Sequence, residues 1–244
     1  ECTALQEIRL PDGLELIGRS AFSECEALQE IRLPDGLKEI GSDAFSGCRS
    51  LRQITVPVGV KCIETAVFQS CRALQEVHLP EGLEQIGMFA FEDCDTLTRI
   101  VLPASLKRLC RGAFENCTSL LEAQLPDGLE ELQDDAFEYC RSLQKVTIPA
   151  QVRQIERAAF YYCQSLQEVQ LPEELNEIGE DAFAHCWALK RIVIPAGVEK
   201  VGEHAFWECY SLQNIAVLSD DTEIAEDAFE DCPGTVKRGT GSLF

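Results

Sequence analysis

The sequence predicts an α/β solenoid of about ten 23-residue rungs, with a parallel sheet on one side and short strands or helical turns on the other. Three observations carry that expectation. Ten phenylalanines recur at one unbroken spacing of 23, from Phe22 through Phe229. A cysteine follows each by three residues, from Cys25 to Cys232, with Cys2 as the leading member. A leucine heads every rung, from Leu5 and Leu28 through Leu212. Self-similarity at a fixed short period marks stacked repeats, in which each unit hides its apolar side only against its neighbours. The rungs occupy residues 1–232, and residues 233–244 are expected to form a C-terminal cap or tail.

One rung justifies each element in turn. Leu5, Ile8 and Leu10 alternate with Glu7 and Arg9, so a short strand buries one face and wets the other. Pro11 ends the strand because it cannot donate to the ladder, and Asp12-Gly13 makes a turn. Leu14 and Ile17 point inward, and Gly18 lets the chain reverse. Small Ala21 beside large Phe22 predicts a tight helical turn that drops one aromatic ring per rung into the core. The cysteine column reads as a structural slot, since a free thiol packs as a small hydrophobe. Equivalent side chains of an in-register stack point the same way, which disfavours disulfide geometry, so reduced thiols are expected. Cys62 and Cys110 lie off this column, and Cys62, in a slot filled elsewhere by Glu39 and Gln85, is expected to be exposed.

Composition excludes several functions. The 244-residue chain carries a formal net charge of −21. A field of that sign repels nucleic acid and anionic lipid, both of which need Lys/Arg to displace counterions. No run of about 18 apolar residues occurs, so no membrane insertion is expected. The chain opens on Glu1, inside a repeat, and reads as a mature or trimmed piece with an exposed first rung.

The repeat, typified by Leu125-Pro126-Asp127-Gly128-Leu129 and by Ala136-Phe137 with Cys140 and Leu143, closely resembles the BspA-like leucine-rich repeat family. The resemblance runs from Cys2 to Cys232. It implies a right-handed horseshoe with a concave parallel sheet, and a surface or secreted adhesion protein that binds other proteins. Motif Gly is lost at Glu64, Cys110, Gln133 and Glu156. The last rung departs further, with Leu218, Asp220 and Asp221 breaking the pattern and Arg238 standing where a core Ile belongs.

Function is expected where rungs differ. On the sheet face the candidate ligand residues are Glu30, Arg32, Glu76, His78, Arg99, Glu122, Gln124, Lys145, Glu168 and Arg191. Curved repeat proteins bind along such a surface, although a mixed-charge column is also what a solvated sheet shows. The second candidate is particular to this chain. All four Tyr and both Trp fall beside the Phe-Cys turn in the later rungs: Tyr139, Tyr161, Tyr162, Trp187, Trp207 and Tyr210. Polar residues fill the same slots elsewhere, so these rings form either an exposed stripe for protein or sugar, or a layer packed over the seams between rungs.

Catalysis is not expected. His78, His185 and His204 accompany no plausible nucleophile and acid, and a buried cysteine is inert. No C-x-x-C pair or glycine-rich phosphate loop occurs, so no metal or cofactor is expected. Pairs such as Asp134-Asp135 read as solvated turns. A non-catalytic monomer that binds a protein, or alternatively a glycan, is the expectation; a spacer or stalk without its own ligand is the alternative.

Overall fold

The computed structural model describes residues 2–239. Two series of strands alternate along the chain. Strands of three or four residues, such as Glu7–Arg9 and Arg191–Ile194, pair in parallel with their equivalents one rung away, as in Glu7↔Glu30, Ile8↔Ile31 and Arg9↔Arg32. Two-residue strands such as Leu16–Ile17 do the same on a second flank, as in Ile63↔Ile86. The offset of 23 puts like on like, which is why the columns legible in the sequence are columns in space.

Between the strands, Leu14 N–H donates to Pro11 O at 3.0 Å and Leu37 N–H to Pro34 O at 3.0 Å, closing the expected Pro-Asp-Gly-Leu turns.

The third flank corrects the helical expectation. No helix occurs among the described residues; the Ala-Phe segment is a run of turns. Ala21, Ser23 and Cys25 donate locally, to Gly18, Ser20 and Phe22, while the alternate residues Ser20, Phe22 and Glu24 donate across to Ser42, Ala44 and Ser46 of the next rung. Ser20 and Glu24 both have a φ of 55°, left-handed geometry that breaks any right-handed turn. The same two columns hold Asp43, Asp135 and Asp181, and Gly47, Asp93 and Asn116, residue types that tolerate this region. The donors from Ser20 to Cys25 are thus all satisfied without a helix.

The conserved-looking glycine after the second strand also has another reason than chain reversal. A Cβ on Gly41 would lie 2.7 Å from Arg19 N, so the residue is small because successive rungs approach there.

The core is a stack of phenylalanines. Neighbouring ring centroids lie from 5.0 Å (Phe206–Phe229) to 5.6 Å (Phe45–Phe68) apart, near parallel throughout. Phe45 through Phe206 are fully buried, whereas the end members Phe22 and Phe229 are partly covered. Each buried ring contributes roughly 1.5–3 kcal/mol by leaving water.

All thirteen cysteines are free. Each thiol from Cys48 to Cys232 except those off the column donates to the phenylalanine carbonyl one rung earlier, for example Cys94 Sγ to Phe68 O at 3.3 Å. Cys62, expected to be exposed, is half-buried, and burial together with the Glu64 carboxylate pushes its thiol up to about 12. Cys110 is buried.

The chain end departs from the 23-residue clock. Thr235–Arg238 pairs in parallel with Asn214–Val217 at an offset of 21, so Val236, not Arg238, continues the Ile column beside Ile215. Arg238 instead donates to the carbonyls of Asp220 at 2.9 Å and Thr222 at 3.2 Å. The rest of the expected tail, residues 240–244, lies outside the described residues.

Candidate functional site: an aromatic patch on the turn flank

The two candidate surfaces lie on different flanks and differ in how far each already satisfies itself. On the sheet face the candidate residues are exposed, as expected from strand alternation, with Glu168 half-buried. Much of the first column is an ion-pair ladder: Arg99 Nη2 lies 3.2 Å from Glu122 Oε2, Lys145 Nζ 3.6 Å from Glu168 Oε2, and Arg191 Nη2 3.3 Å from Glu168 Oε1. Lys145 above all, with Arg191, holds the Glu168 carboxyl below the usual carboxylate range. Glu76 and His78 pair more loosely at 3.9 Å and, with Arg99 and Val101, line a shallow groove between rungs. The remaining candidates there, Glu30, Arg32 and Gln124, stand exposed in the same columns. From Arg99 to Arg191 the column alternates in sign, so this stretch of the face largely neutralises itself, whereas the first rungs set Glu7 beside Glu30 and Arg9 beside Arg32.

The turn flank is different. The 23-residue register brings Tyr139, Tyr161, Tyr162, Trp187, Trp207 and Tyr210 into one connected patch. Tyr139 meets Tyr162 at 5.1 Å between centroids, Tyr162 meets Trp187 at 5.9 Å, and Trp187 meets Tyr210 at 6.3 Å. These rings divide between packing and exposure. Tyr139, Tyr161, Tyr162 and Trp207 are half-buried against one another, while Trp187 (38 % exposed) and Tyr210 (53 %) face solvent. The patch has a packed floor and an open end.

The residue at its centre was missed from sequence. His185 is buried, with its ring 4.1 Å from that of Tyr162, 5.2 Å from Tyr161 and 4.7 Å from Trp207. It shares a left-handed column with Tyr139 and Tyr162, with φ values of 59°, 57° and 58°. That shared column was the signal available. The His185 Nδ1 atom lies 2.9 Å from Glu208 Oε2 and is a buried nitrogen with no well-formed hydrogen bond. Glu208 also flanks Tyr210 and pushes its hydroxyl up to about 12.

Acidic side chains adjoin the patch. Glu115 and Glu138 follow Glu92 in one column, and burial, reinforced by neighbouring carboxylates, raises both to about 7. Asp135, read from sequence as part of a solvated acidic turn, is buried and clamped between Arg111 (Nε–Oδ2 2.9 Å) and Arg157 (Nη2–Oδ1 3.1 Å).

A family model described as a BspA type leucine rich repeat region, in 6 copies, matches residues 1–121 and 111–235. The chain belongs to the BspA-type leucine-rich repeat family. Solved structures agree with the fold of this BspA-type chain. A leucine-rich repeat protein from Bacteroides ovatus is 30 % identical with a TM-score of 0.89 over 96 % of this chain, which spans 63 % of that protein. The T. pallidum leucine rich repeat protein is 28 % identical, TM-score 0.55, over 75 % of this chain and 78 % of its own. A leucine rich cell surface protein from Faecalibacterium prausnitzii, 24 % identical with a TM-score of 0.52, covers 98 % of this chain and 89 % of its own. No curated protein matches the BspA-type sequence.

Proposed function

We propose that this chain is a non-catalytic binding module of a cell-surface or secreted protein, and that it contacts a protein partner through the aromatic patch on the turn flank. The observation that carries the proposal is the exposure of Trp187 and Tyr210 at the end of a packed aromatic floor. Exposed aromatics on a rigid support supply large contact area at little entropic cost, and Tyr and Trp dominate the energetics of protein contacts. The concave disposition of the sheet and the right-handed coil belong to the same reading, as does the monomeric state. The sheet face takes a secondary role because its charges already pair within the chain.

That self-neutralised sheet face favours a second reading, a spacer with no ligand of its own. An array of extracellular host proteins and glycans separates the two. A binding module captures a partner with micromolar affinity or better and loses it in Trp187→Ser/Tyr210→Ser. A chain that retains nothing from the array, or retains a partner equally in that variant, contradicts the proposal. Trp207 is unsuited to this test because its ring supports His185 and His204.

A further inference from the structure

The open end of the patch has the chemistry of a cation receptor. Trp187 and Tyr210 occupy successive rungs of one column, both exposed, with ring centroids 6.3 Å apart and planes tilted by 33°, so the two rings do not close into a parallel stack. The same column carries Arg141 two rungs before Trp187, and there the guanidinium lies 5.6 Å over the ring of Tyr139. A second guanidinium, that of Arg111, lies 5.9 Å over Phe89 on the same flank. This flank therefore already seats arginine on aromatic faces twice, using its own side chains. At the Trp187–Tyr210 end no arginine of this column follows: the next residue is Pro233.

Charge complements the rings. Glu208 adjoins both Tyr210 and His185, its carboxylate 2.9 Å from Nδ1, and Glu230 and Asp231 follow in the next rung. A ring face attracts a cation through its quadrupole, most strongly for Trp, and a nearby carboxylate adds a directed acceptor for N–H donors. A planar guanidinium both stacks and hydrogen-bonds, whereas an ammonium acts as a point charge. The net charge of −21 draws basic partners toward the chain but does not by itself choose arginine over lysine.

Taking the patch as the contact face proposed above, we infer that the Trp187–Tyr210 end receives an arginine side chain from the partner protein, stacked on the two rings and paired with Glu208. Neutral sugar is the competing occupant, which carries no charge to pair with Glu208.

Titration of the intact chain with hexa-arginine, hexa-lysine and chitohexaose at 150 mM salt, read by tryptophan fluorescence and calorimetry, tests this inference. Hexa-arginine is expected to bind about threefold more tightly than hexa-lysine, because a guanidinium stacks on a ring and pairs with a carboxylate at once while an ammonium acts as a point charge. Trp187→Ser/Tyr210→Ser removes that preference, and Glu208→Gln, which keeps the rings, weakens hexa-arginine binding while thermal unfolding confirms the fold of each variant. Equal affinity for both basic peptides, or binding unchanged in Trp187→Ser/Tyr210→Ser, would show only diffuse attraction to an acidic surface and overturn the inference. Chitohexaose binding that Trp187→Ser/Tyr210→Ser abolishes, without an arginine preference, overturns it too while leaving the patch as a contact face. Loss of an array-identified partner in that variant, with no arginine preference, separates the two in the same way.

Discussion

The thiol of Cys117 donates to the carbonyl oxygen of Phe91, one rung earlier, at 3.1 Å. That carbonyl also accepts from Cys94 N–H of its own rung at 3.3 Å, so one oxygen ties a turn together and joins it to the next. The cysteine column is thus both packing and a line of hydrogen bonds. Cys117→Ala removes the donor and leaves a small void, and should cost about 1–2 kcal/mol in chemical denaturation. An unchanged midpoint would contradict the role given to the thiol.

Beside it, Phe114 lies between Phe91 and Phe137 at 5.3 and 5.4 Å. Phe114→Ala should destabilise by about 3–5 kcal/mol through the cavity it opens in a fully buried stack. The equivalent change at Phe22, half-covered at the first rung, should cost clearly less. Equal losses at both positions would refute the stacked-core account.

Thiol reactivity follows burial. Cys71, Cys94, Cys117 and Cys163 have thiols pushed well above the ordinary value, first by burial and then by their neighbours in the column. Since the thiolate is the reactive species, iodoacetamide at pH 8 should modify exposed Cys2 in the native chain and spare these four until denaturant is added. Mass spectrometry of the labelled peptides gives the order directly.

Much of this was legible in the sequence because a 23-residue register makes like residues meet. Phe22 to Phe229, the strand starts and the membership of the aromatic patch follow from spacing alone. The turn flank did not. Its left-handed residues include Tyr139, Tyr162 and His185, for which φ near 57° is set by inter-rung hydrogen bonds and not by propensity. The side-chain pattern of Ala21-Phe22 fits a helical turn equally well. Burial of His185 and Asp135 was likewise hidden, because each depends on partners supplied by adjacent rungs: the rings of Tyr162 and Trp207 in one case, Arg111 and Arg157 in the other.

The left-handed turns can be tested without a structure. Ser20 has a φ of 55° and an exposed side chain, and glycine carries no steric cost there. Ser20→Gly should be neutral or stabilising by up to about 1 kcal/mol. In a helical turn the same change would destabilise by roughly 0.5 kcal/mol, so the sign of the shift in denaturation midpoint decides.

Glu115 and Glu138 make stability depend on pH. Both hold their protons up to about 7 in the folded chain, against an ordinary carboxyl near 4.5. Below the ordinary value both states are protonated and nothing is lost. As pH rises through the ordinary value toward 7 the unfolded chain ionises first, so folding loses stability across that window. Glu115→Gln and Glu138→Gln should each raise stability at pH 8 by about 1 kcal/mol, discounted for half-exposure, and leave it nearly unchanged at pH 4. Thermal melts at the two pH values check this, and an equal effect at both would contradict it.

The proposed binding face lies on the turn flank, where the rungs stop being alike, and not along the sheet. Surface plasmon resonance of an array-identified partner against two double variants compares the flanks in one measurement. Trp187→Ser/Tyr210→Ser is predicted to weaken binding about tenfold or more, the loss expected when two aromatic anchors are truncated. Arg99→Ser/Lys145→Ser on the sheet face should leave affinity within about twofold, as rim charges do. The opposite ranking would place the partner on the sheet and contradict the account.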